Sequence, residues 1–310
     1  MRLLNLSAEP DGVIRSWLPS DLDAEVVVTL PDACPGRSPL PTGTAALLHR
    51  PDWRRYAVSD CGCGMRLVRV DAGTDTLTLS RWNGVADRLR RNKGSLGDLG
   101  GGNHFLDALS AYSDEQLYFL IHTGSRSESG IVDGLIDDAD RFDRQFARVV
   151  SWARDNRAAV QEAVEAEFGR AEVLLDLPHN TFEVLPDDEG VIIRKGAVRA
   201  RPGDVNVLPS HLAGDVALVR ATDRVADTLY SLSHGTGRSA ARGAAKDLAA
   251  GFDFAGLRKR VLLPDGLEDS SLRTEGPFAY RDLDPCLELL AGFVTLVERY
   301  AVIGYMGHLG

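Results

Sequence analysis

The short stretch at residues 60–65 holds the side chains of this chain best suited to bind a metal ion. Asp60 and Cys63 lie three positions apart, and the glycines around them let the backbone turn sharply, so both side chains can face one ion. Four of the seven histidines lie in similar short stretches beside glycine, asparagine or arginine: His104, His122, His179 and His234. We interpret this concentration as one assembled metal and phosphate site.

The types of donor favour a borderline metal such as zinc, manganese, iron or cobalt over magnesium alone. A thiolate at Cys63 could bridge two ions, and three of the histidines (His104, His122 and His179) would complete the ligand shell. These histidines are too far from Cys63 along the chain for a zinc finger, so the whole fold must assemble the site, as in catalytic metal sites. Each residue taken alone also has a structural interpretation, as a packed cysteine or a hydrogen-bonded core histidine.

His234 differs from the other three histidines because its neighbours in the chain include no acidic or thiol side chain. It follows a predicted helix, Asp223 to Leu232, and precedes a Gly-Thr-Gly-Arg turn. A neutral imidazole there can attack phosphorus and form a phosphoramidate, while Arg238 neutralises the developing charge. A helix C-terminal cap and a further metal ligand are the alternatives, and spacing alone does not choose among the three.

Glycines and cations around the histidines predict phosphate binding. The run at residues 94–102 exposes backbone N–H groups at close quarters, which suits a phosphate, although a flexible turn is an equal alternative. Asn103 and His104 follow it directly, which strengthens the phosphate interpretation. Arg126 and Arg238 each follow a histidine by four residues across a glycine-containing turn, so each could place a guanidinium near an imidazole. Three further cations are candidates for phosphate or RNA contacts: Arg194, Lys195 and Arg199.

Composition excludes some classes of protein. The net charge of −10 argues against a nonspecific nucleic-acid binder but leaves room for an enzyme with a local positive groove. No run of about 18 apolar residues is present, and acidic residues interrupt the first segment too soon for a signal peptide. Four cysteines in 310 residues do not suggest a disulfide framework. We therefore expect a cytoplasmic protein with reduced thiols.

The elements that must position these residues are predicted from the hydrophobic pattern. Strands are expected at Glu25 to Leu30, Met65 to Val70, Leu117 to His122, Ala171 to Leu175 and Val191 to Arg194. One long helix is expected over Asp138 to Arg170, and a second amphipathic helix within Arg281 to Val297. No linker divides the chain. The prediction is one α+β domain over residues 1–310, with the histidines at strand ends and in loops.

With these residues identified, the chain resembles the RtcB family of RNA-splicing ligases from about residue 55 onward. The helical segment Trp152 to Arg157 also resembles the corresponding helix of that family. The other motifs occur in the family's order: Asp60 to Met65, Gly100 to Phe105, His122 to Arg126, His179 and Asn180, Arg194 to Ala200, His234 to Arg238, and Ala279 to Asp282. The resemblance implies an RtcB-like α+β fold with mixed and antiparallel sheets and flanking helices around a central metal site.

The resemblance also implies an RNA ligase that uses GTP and Mn²⁺. Such an enzyme joins an RNA 3′-phosphate or 2′,3′-cyclic phosphate end to a 5′-hydroxyl. It first guanylylates a histidine, here His234, and then passes GMP to the RNA 3′-phosphate, from which the 5′-hydroxyl displaces it. The metal ligands for one or two ions would be Asp60, Cys63, His104, His122 and His179, with Cys63 as the bridge. The nucleotide would contact Asn103, Phe105, Asp107, Gly235, Gly237, Arg238 and Tyr280. Its partners would be GTP, cleaved RNA such as tRNA, and an activating protein.

Three segments depart from the family pattern. Asp107 stands where the family has a glutamate, residues 209–214 replace a Gly-Ser-Met-Gly pattern, and no lysine occurs in residues 305–310. These differences leave the choice between GTP and ATP open, and RNA repair is favoured over tRNA splicing. Two alternatives remain: a metal-dependent cyclic-phosphate hydrolase or phosphotransferase without ligation, and a non-catalytic RNA-end binder.

Overall fold

A computed structural model describes residues 1–36, 39–57, 59–307 and 309, and for Arg126 and Ser127 it describes the backbone alone. Fourteen strands lie in the described residues: β1 Arg2–Asn5, β2 Ala24–Cys34, β3 Thr42–Leu48, β4 Gly64–Gly73, β5 Phe105–Ala111, β6 Gln116–Thr123, β7 Ala171–Pro178, β8 Asn180–Val184, β9 Val191–Lys195, β10 Ala197–Arg199, β11 Val205–Pro209, β12 Asp215–Ala221, β13 Ser231–Ser233 and β14 Val294–Met306. The α-helices there are α1 Asp11–Trp17, α2 Leu79–Arg91, α3 Gly130–Asp133, α4 Ala139–Phe168, α5 Arg242–Leu248, α6 Phe254–Arg258, α7 Asp269–Leu272 and α8 Leu283–Leu289.

The largest sheet has seven strands in the order β11-β12-β14-β5-β6-β4-β7, and all of its pairs are antiparallel. Its interior strand β6 is apolar over residues 117–121 and is buried on both faces. On one face, Trp82 of α2 and Phe168 of α4 pack against Phe119 of this strand. This buried apolar layer holds the sheet rigidly behind the histidine at the end of β6.

A second sheet has five strands in the order β1-β2-β3-β9-β8, with β1 parallel to β2 and the other pairs antiparallel. The first half of α4 covers it, because Phe142, Phe146 and Val149 form one apolar stripe that packs against residues such as Val27 and Ile193. A two-stranded ribbon, β10 with β13, lies beside these sheets. The helix α4 therefore contacts both large sheets, and its middle lies between them.

The α+β class, with mixed and antiparallel sheets and flanking helices, is confirmed, and all five predicted strands are present. The predicted long helix is α4, which begins after Asp138, whose carboxylate accepts from the Arg141 backbone N–H at 3.2 Å, and ends at Gly169. No helix among the described residues is long and apolar enough to cross a membrane. The single domain over residues 1–310 stays a prediction.

Two predicted helices are wrong in part. Residues 223–228 form only a 3₁₀ turn, because Leu229 and Tyr230 both adopt left-handed conformations and β13 follows. In residues 281–297 the helix ends at Leu289, and Gly292 with a φ of 84° turns the chain into β14. In both places tertiary pairing of the following strand overrides the local helical pattern.

Candidate active site and metal centre

The register of the seven-stranded sheet brings four of the predicted ligands to one edge. Within it, Met65 and Phe105 both pair with His122, and Gly64 pairs with Pro178. Cys63 precedes β4, His104 precedes β5 and His179 follows β7, so each side chain lies one residue from these pairs. Because the strands alternate in direction, the start of one meets the end of the next at the same edge.

The five predicted ligands lie close together. The Cys63 Sγ lies 3.3 Å from Nε2 of His122 and 3.5 Å from Nε2 of His104. The same His104 atom lies 3.5 Å from Oδ2 of Asp60. The cluster comprises two overlapping groups, Cys63 with His122 and His179, and Cys63 with Asp60 and His104, each with its ligand atoms within 4.8 Å of one another. Cys63 belongs to both groups, which suits a bridging thiolate.

The Asp60 turn is strained in a way that aims its carboxylate at this cluster. Asp60 has a φ of 51°, a left-handed conformation that non-glycine residues adopt at a cost of about 1–3 kcal/mol. A Cβ at Gly124 would lie 2.4 Å from Oδ1 of Asp60, so only glycine leaves room for the carboxylate. The Asn180 amide donates to the Asp60 carbonyl at 3.0 Å and accepts from the Gly196 N–H at 2.8 Å. The turn is thus held from two sides.

A buried arginine in the middle of α4 supports the same turn. Arg157 donates to the carbonyls of Gly62 at 3.0 Å and Thr123 at 3.2 Å, and pairs with Asp176 at 2.7 Å. Arg66 bonds the other oxygen of Asp176 at 2.5 Å. Because these groups are almost fully buried, Arg157 links the loop before β4, the end of β6 and strand β7 into one rigid unit.

The buried donors fit a divalent metal ion. Among the described residues, Nδ1 of His104, His122 and His179 has no hydrogen-bond partner, although buried polar atoms are normally paired. Burial, with neighbouring histidines, lowers the pKa of His122 and His179 well below the usual range, which keeps the imidazoles neutral as ligands. Burial opposes ionisation of Asp60, but its hydrogen bond with His104 and nearby positive charge lower its pKa to about 2.

The thiol of Cys63 is the group that most requires a cation. Burial and the charge of Asp60 raise the pKa of this thiol well above its usual value. A divalent ion in the cluster would favour the thiolate and reverse that shift. The set of one thiolate, one carboxylate and three imidazoles suits manganese, zinc, iron or cobalt. The cluster could therefore hold a metal ion.

His234 lies beside the cluster and is oriented by a buried aspartate. Its ring lies 4.5 Å from that of His179 and 6.3 Å from that of His122, between centroids. The Nδ1 atom forms a short hydrogen bond to Oδ2 of Asp32, which is fully buried on β2. If Nδ1 carries the proton toward the carboxylate, Nε2 keeps its lone pair and is available as a nucleophile.

Two glycines make room for Asp32. A Cβ at Gly237 would lie 2.5 Å from the Asp32 Cα, and one at Gly43 would lie 2.6 Å from its Oδ1. Both glycines have positive φ, 76° and 72°. The Gly-Thr-Gly-Arg turn after His234 therefore serves close packing against β2, in addition to lining the site.

A cavity of about 720 Å³ opens beside His234. Asp60 and His122 line one side of it. Every candidate nucleotide contact also lines it: Asn103, Phe105, Asp107, Gly235, Gly237, Arg238 and Tyr280. The volume is that of a typical small-molecule site. The metal cluster, the paired histidine and the predicted nucleotide residues thus share one cavity.

Comparison with known proteins agrees with this arrangement. A family model described as tRNA-splicing ligase RtcB matches residues 136–307. The chain belongs to the RtcB family. Its relatives include the RNA-splicing ligase RtcB2 of Escherichia coli strain ATCC 25922, 28% identical over 88% of this chain and 85% of that protein. The RNA-splicing ligase RtcB of Mycobacterium tuberculosis is 27% identical over 86% of this chain and 79% of that protein. The resemblance to the RtcB family is confirmed.

Some predicted phosphate contacts do not fit the structure of this RtcB-family chain. In the glycine run, the N–H groups of Gly94 and Gly100 donate to Asp98, and that of Gly97 donates to Asn156. These three donors serve the loop itself and are not available to a phosphate. The run is an ordered turn held by side-chain acceptors.

The four predicted cations other than Arg238 differ in where the structure places them. Arg194 is almost fully buried, and its guanidinium bonds Glu183, Ser231 and the Leu229 carbonyl, so its prediction as a phosphate contact is wrong. Lys195 lines the cavity, where its ammonium donates to the Ser59 carbonyl at 2.9 Å. Arg199 is half-exposed and lies outside the cavity lining. The side chain of Arg126 lies outside the described part of the structure.

Three residues of the RtcB site were missed from the sequence. Asp32 lies 202 positions from His234, and no local signal marks it. Arg242, at the start of α5, lines the cavity, and its Nη2 would lie 3.9 Å from a Cβ added at Gly102. His211 also lines the cavity, with Nδ1 3.4 Å from the Ala213 N–H. Signals existed for the other two, because Arg242 lies in the basic segment at residues 238–246 and His211 lies in residues 209–214, which depart from the family pattern.

Proposed function

We propose that this chain is an Mn²⁺-dependent, GTP-using RNA ligase that joins 3′-phosphate or 2′,3′-cyclic phosphate ends to 5′-hydroxyl ends. The pairing of His234 with buried Asp32, directly beside the cysteine–histidine–aspartate cluster, carries this proposal. Membership in the RtcB family supports RNA ligation. The composition of the cavity lining supports a nucleotide as the co-substrate.

The first step uses His234 as the nucleophile. Its Nε2 lone pair attacks the α-phosphorus of GTP, an N–P bond forms, and the bond to pyrophosphate breaks. The attacking ring becomes cationic, and the Asp32 carboxylate at Nδ1 stabilises that charge without accepting the proton. Bound metal ions held by Asp60, Cys63, His104, His122 and His179 would supply positive charge that stabilises the phosphates.

The RNA ends then react in two further displacements. A 2′,3′-cyclic end must first be hydrolysed by water, which breaks the bond between phosphorus and the 2′-oxygen and gives a 3′-phosphate. An oxygen of the RNA 3′-phosphate then attacks the phosphorus on His234, which frees the imidazole and leaves GMP on the RNA end. The 5′-hydroxyl next attacks the activated 3′-phosphorus, forms the phosphodiester and releases GMP. Activation is needed because a phosphate dianion is a poor electrophile without a leaving group. Arg238 and Lys195, which line the cavity, would contact the phosphates.

The base would lie between apolar and carboxyl groups at the far side of the cavity. Asp107 is almost fully buried, and its Oδ1 has no hydrogen-bond partner among the described residues. An acceptor in that position can bond the N–H edge of guanine. Tyr280 stacks against Arg238, with its ring 4.8 Å from that guanidinium, and Phe105 lies beside His122.

Incubation with GTP labelled at the α-phosphate tests the nucleophile. The wild-type chain with Mn²⁺ should acquire an acid-labile label, and the His234→Ala variant should acquire none. Parallel reactions with the other three nucleotides determine the base preference. Equal labelling of the wild type and the variant would exclude His234 as the site of attachment.

A further inference from the structure

An arginine-rich surface lies outside the cavity, at the far end of the β10–β13 ribbon. Three guanidiniums, those of Arg194, Arg199 and Arg201, surround the single carboxylate of Glu183 at 2.9, 3.3 and 2.7 Å. Arg194 is the buried member and needs Glu183 as its counterion, whereas 54% of the Arg199 side chain and 36% of the Arg201 side chain are exposed. One carboxylate cannot neutralise all three cations.

A fourth guanidinium extends this surface. Arg220 of β12 is exposed and donates to the Gly203 carbonyl at 2.9 Å, two residues beyond Arg201. Asp204 lies beside Arg201, and its Oδ2 already accepts the Arg201 backbone N–H at 2.8 Å. The four arginines with Glu183 and Asp204 sum to two net positive charges, although the whole chain carries −10. We call Arg199, Arg201 and Arg220 the arginine patch.

The donors of the patch are largely unused. A guanidinium has five N–H donors. Among the described residues, the Arg199 guanidinium bonds only Glu183, through Nε–H, and the Arg220 guanidinium bonds only the Gly203 carbonyl, through Nη1. Both side chains are exposed, so their remaining N–H groups are available for the bidentate contacts that arginine makes with phosphate.

The backbone beneath the patch is strained to hold it in place. Leu229 and Tyr230 are consecutive non-glycine residues with φ of 53° and 51°. This conformation turns both carbonyls toward Arg194, at 3.1 and 3.4 Å, and places the Tyr230 ring 3.9 Å from the Arg201 guanidinium. The stacked ring fixes Arg201, so less rotamer entropy is lost when the guanidinium binds an anion. Strain of this kind persists where surrounding structure and function require it.

The ribbon connects the patch to the nucleophile. Arg199 pairs with Ser231, and Ala197 pairs with Ser233, the residue before His234. At about 3.3 Å per residue, the patch lies on the order of 10 Å from His234 along the strand. A nucleic-acid strand whose end reacts at His234 can reach this distance within its first few nucleotides.

We infer that the arginine patch is a second phosphate-binding surface, which holds the RNA backbone a few nucleotides away from the reacting 3′ end. The inference rests on the proposed function for the identity of the ligand as RNA. The single-stranded backbone supplies the regularly spaced anions that two or three arginines can contact. The patch would add affinity for long RNA and none for a terminal dinucleotide.

Binding of labelled RNA tests the inference. Fluorescence anisotropy would compare a dinucleotide and a decanucleotide, both with a 3′-phosphate, on the wild type and on the double variant Arg199→Ala, Arg201→Ala. We expect the decanucleotide to bind about tenfold more weakly to the double variant, and the slope of log K against log salt to become shallower by about 0.7 for each lost contact. Binding of the dinucleotide should not change.

A matched control removes the same charge elsewhere. Arg69 and Arg141 are exposed by 46% and 65%, and each has an acidic partner, Glu172 and Asp138, so the variant Arg69→Ala, Arg141→Ala should bind both RNAs as the wild type does. If loss of the Arg201–Tyr230 stack unfolds the first variant, the variant Arg199→Ala, Arg220→Ala replaces it. Equal decanucleotide affinity and salt slope in patch and control variants would overturn the inference, and so would an equal loss for the dinucleotide.

Failure of the proposed function can be distinguished from failure of the inference about the arginine patch. Labelling of His234 by GTP needs no RNA, so the patch variant should label at the wild-type rate. A wild type that never labels contradicts the ligase mechanism, while a selective loss of decanucleotide binding would still support the patch. Normal labelling with unchanged RNA binding would contradict the patch alone.

Discussion

At the scale of single residues, the pairing of His234 with Asp32 decides what the site can do. A free imidazole can carry its proton on either nitrogen, but a buried carboxylate at Nδ1 favours the proton there and leaves the lone pair on Nε2. The same carboxylate stabilises the positive charge that develops on the ring. Asp32 is therefore a positioning residue for the attack on phosphorus.

The Asp32→Asn variant should show this directly. The amide keeps the shape of the carboxylate but removes its charge and can stabilise the wrong tautomer, so we expect labelling by GTP to slow by at least ~100-fold. The measurement is the single-turnover rate of adduct formation across GTP concentrations. A structural role alone would lower the melting temperature and leave the rate per folded molecule unchanged, which would contradict the assignment.

Asp107 should make stability depend on pH. Burial raises the pKa of this carboxyl well above its usual value, so the folded chain keeps a proton that the unfolded chain loses above about pH 4. Stability from this residue is therefore lost as pH rises, by up to about 1.4 kcal/mol per pH unit.

The Asp107→Asn variant removes that dependence, because an amide cannot ionise. The free energy of unfolding of the variant should exceed that of the wild type by an amount that grows from about pH 5 to pH 7. Urea denaturation without nucleotide measures both values. Parallel curves for the two proteins over that range would show that Asp107 ionises normally in the folded state.

At the scale of elements, α4 and the strand ends hold the metal ligands in place. Arg157 projects from the middle of α4 and binds the backbone on both sides of the cluster. The strands β4, β6 and β7 could otherwise shift relative to one another. The buried ion pair with Asp176 therefore supports the geometry of the candidate metal centre.

The Arg157→Met variant should be strongly destabilised. Removal of Arg157 takes the donor from Oδ1 of Asp176 and from the carbonyls of Gly62 and Thr123, and we expect a loss of roughly 3 kcal/mol in the free energy of unfolding. Urea denaturation measures it. The control is Arg69→Met on β4, whose exposed pair with Glu172 is screened by solvent and should contribute little to the free energy of unfolding. Similar losses in both variants would contradict the role of Arg157.

At the scale of the whole molecule, folding and metal binding should be coupled. The ligands come from three loops and one strand that only the complete fold brings together. An ion that binds only the folded chain adds stability, about 2.7 kcal/mol at a concentration of 100 times Kd. Chelation should therefore lower the melting temperature of the loaded protein.

Variants of the cluster should differ in how many metal ions they retain. Because Cys63 belongs to both ligand groups, Cys63→Ala should retain no Mn²⁺, whereas His179→Ala should retain the ion held by Asp60, Cys63 and His104. Elemental analysis after gel filtration gives the ratio of metal to protein, and the melting temperature gives the coupling to stability. A Cys63→Ala protein with the full wild-type metal content would contradict a shared thiolate.

The residues that could do chemistry, and most of the elements that carry them, are evident in the amino-acid sequence. The residue types at 60–65 and around the histidines indicated metal ligands, and apolar periodicity located β2, β4, β6 and α4. These features are local, because side-chain chemistry and hydrophobic patterns are properties of short segments. Predictions failed where a following strand overrode the local pattern, as after Thr228 and after Leu289.

The tertiary fold brings particular candidate residues together and gives them their partners. It paired His234 with Asp32 across 202 positions, buried Arg194 beneath Glu183, and turned the glycine run toward Asp98 and Asn156. Contacts of this kind depend on strand register and on the closure of long loops, which no short segment encodes. The reactive groups can therefore be identified from the sequence, but their protonation, their pairing and their access to the cavity depend on the fold.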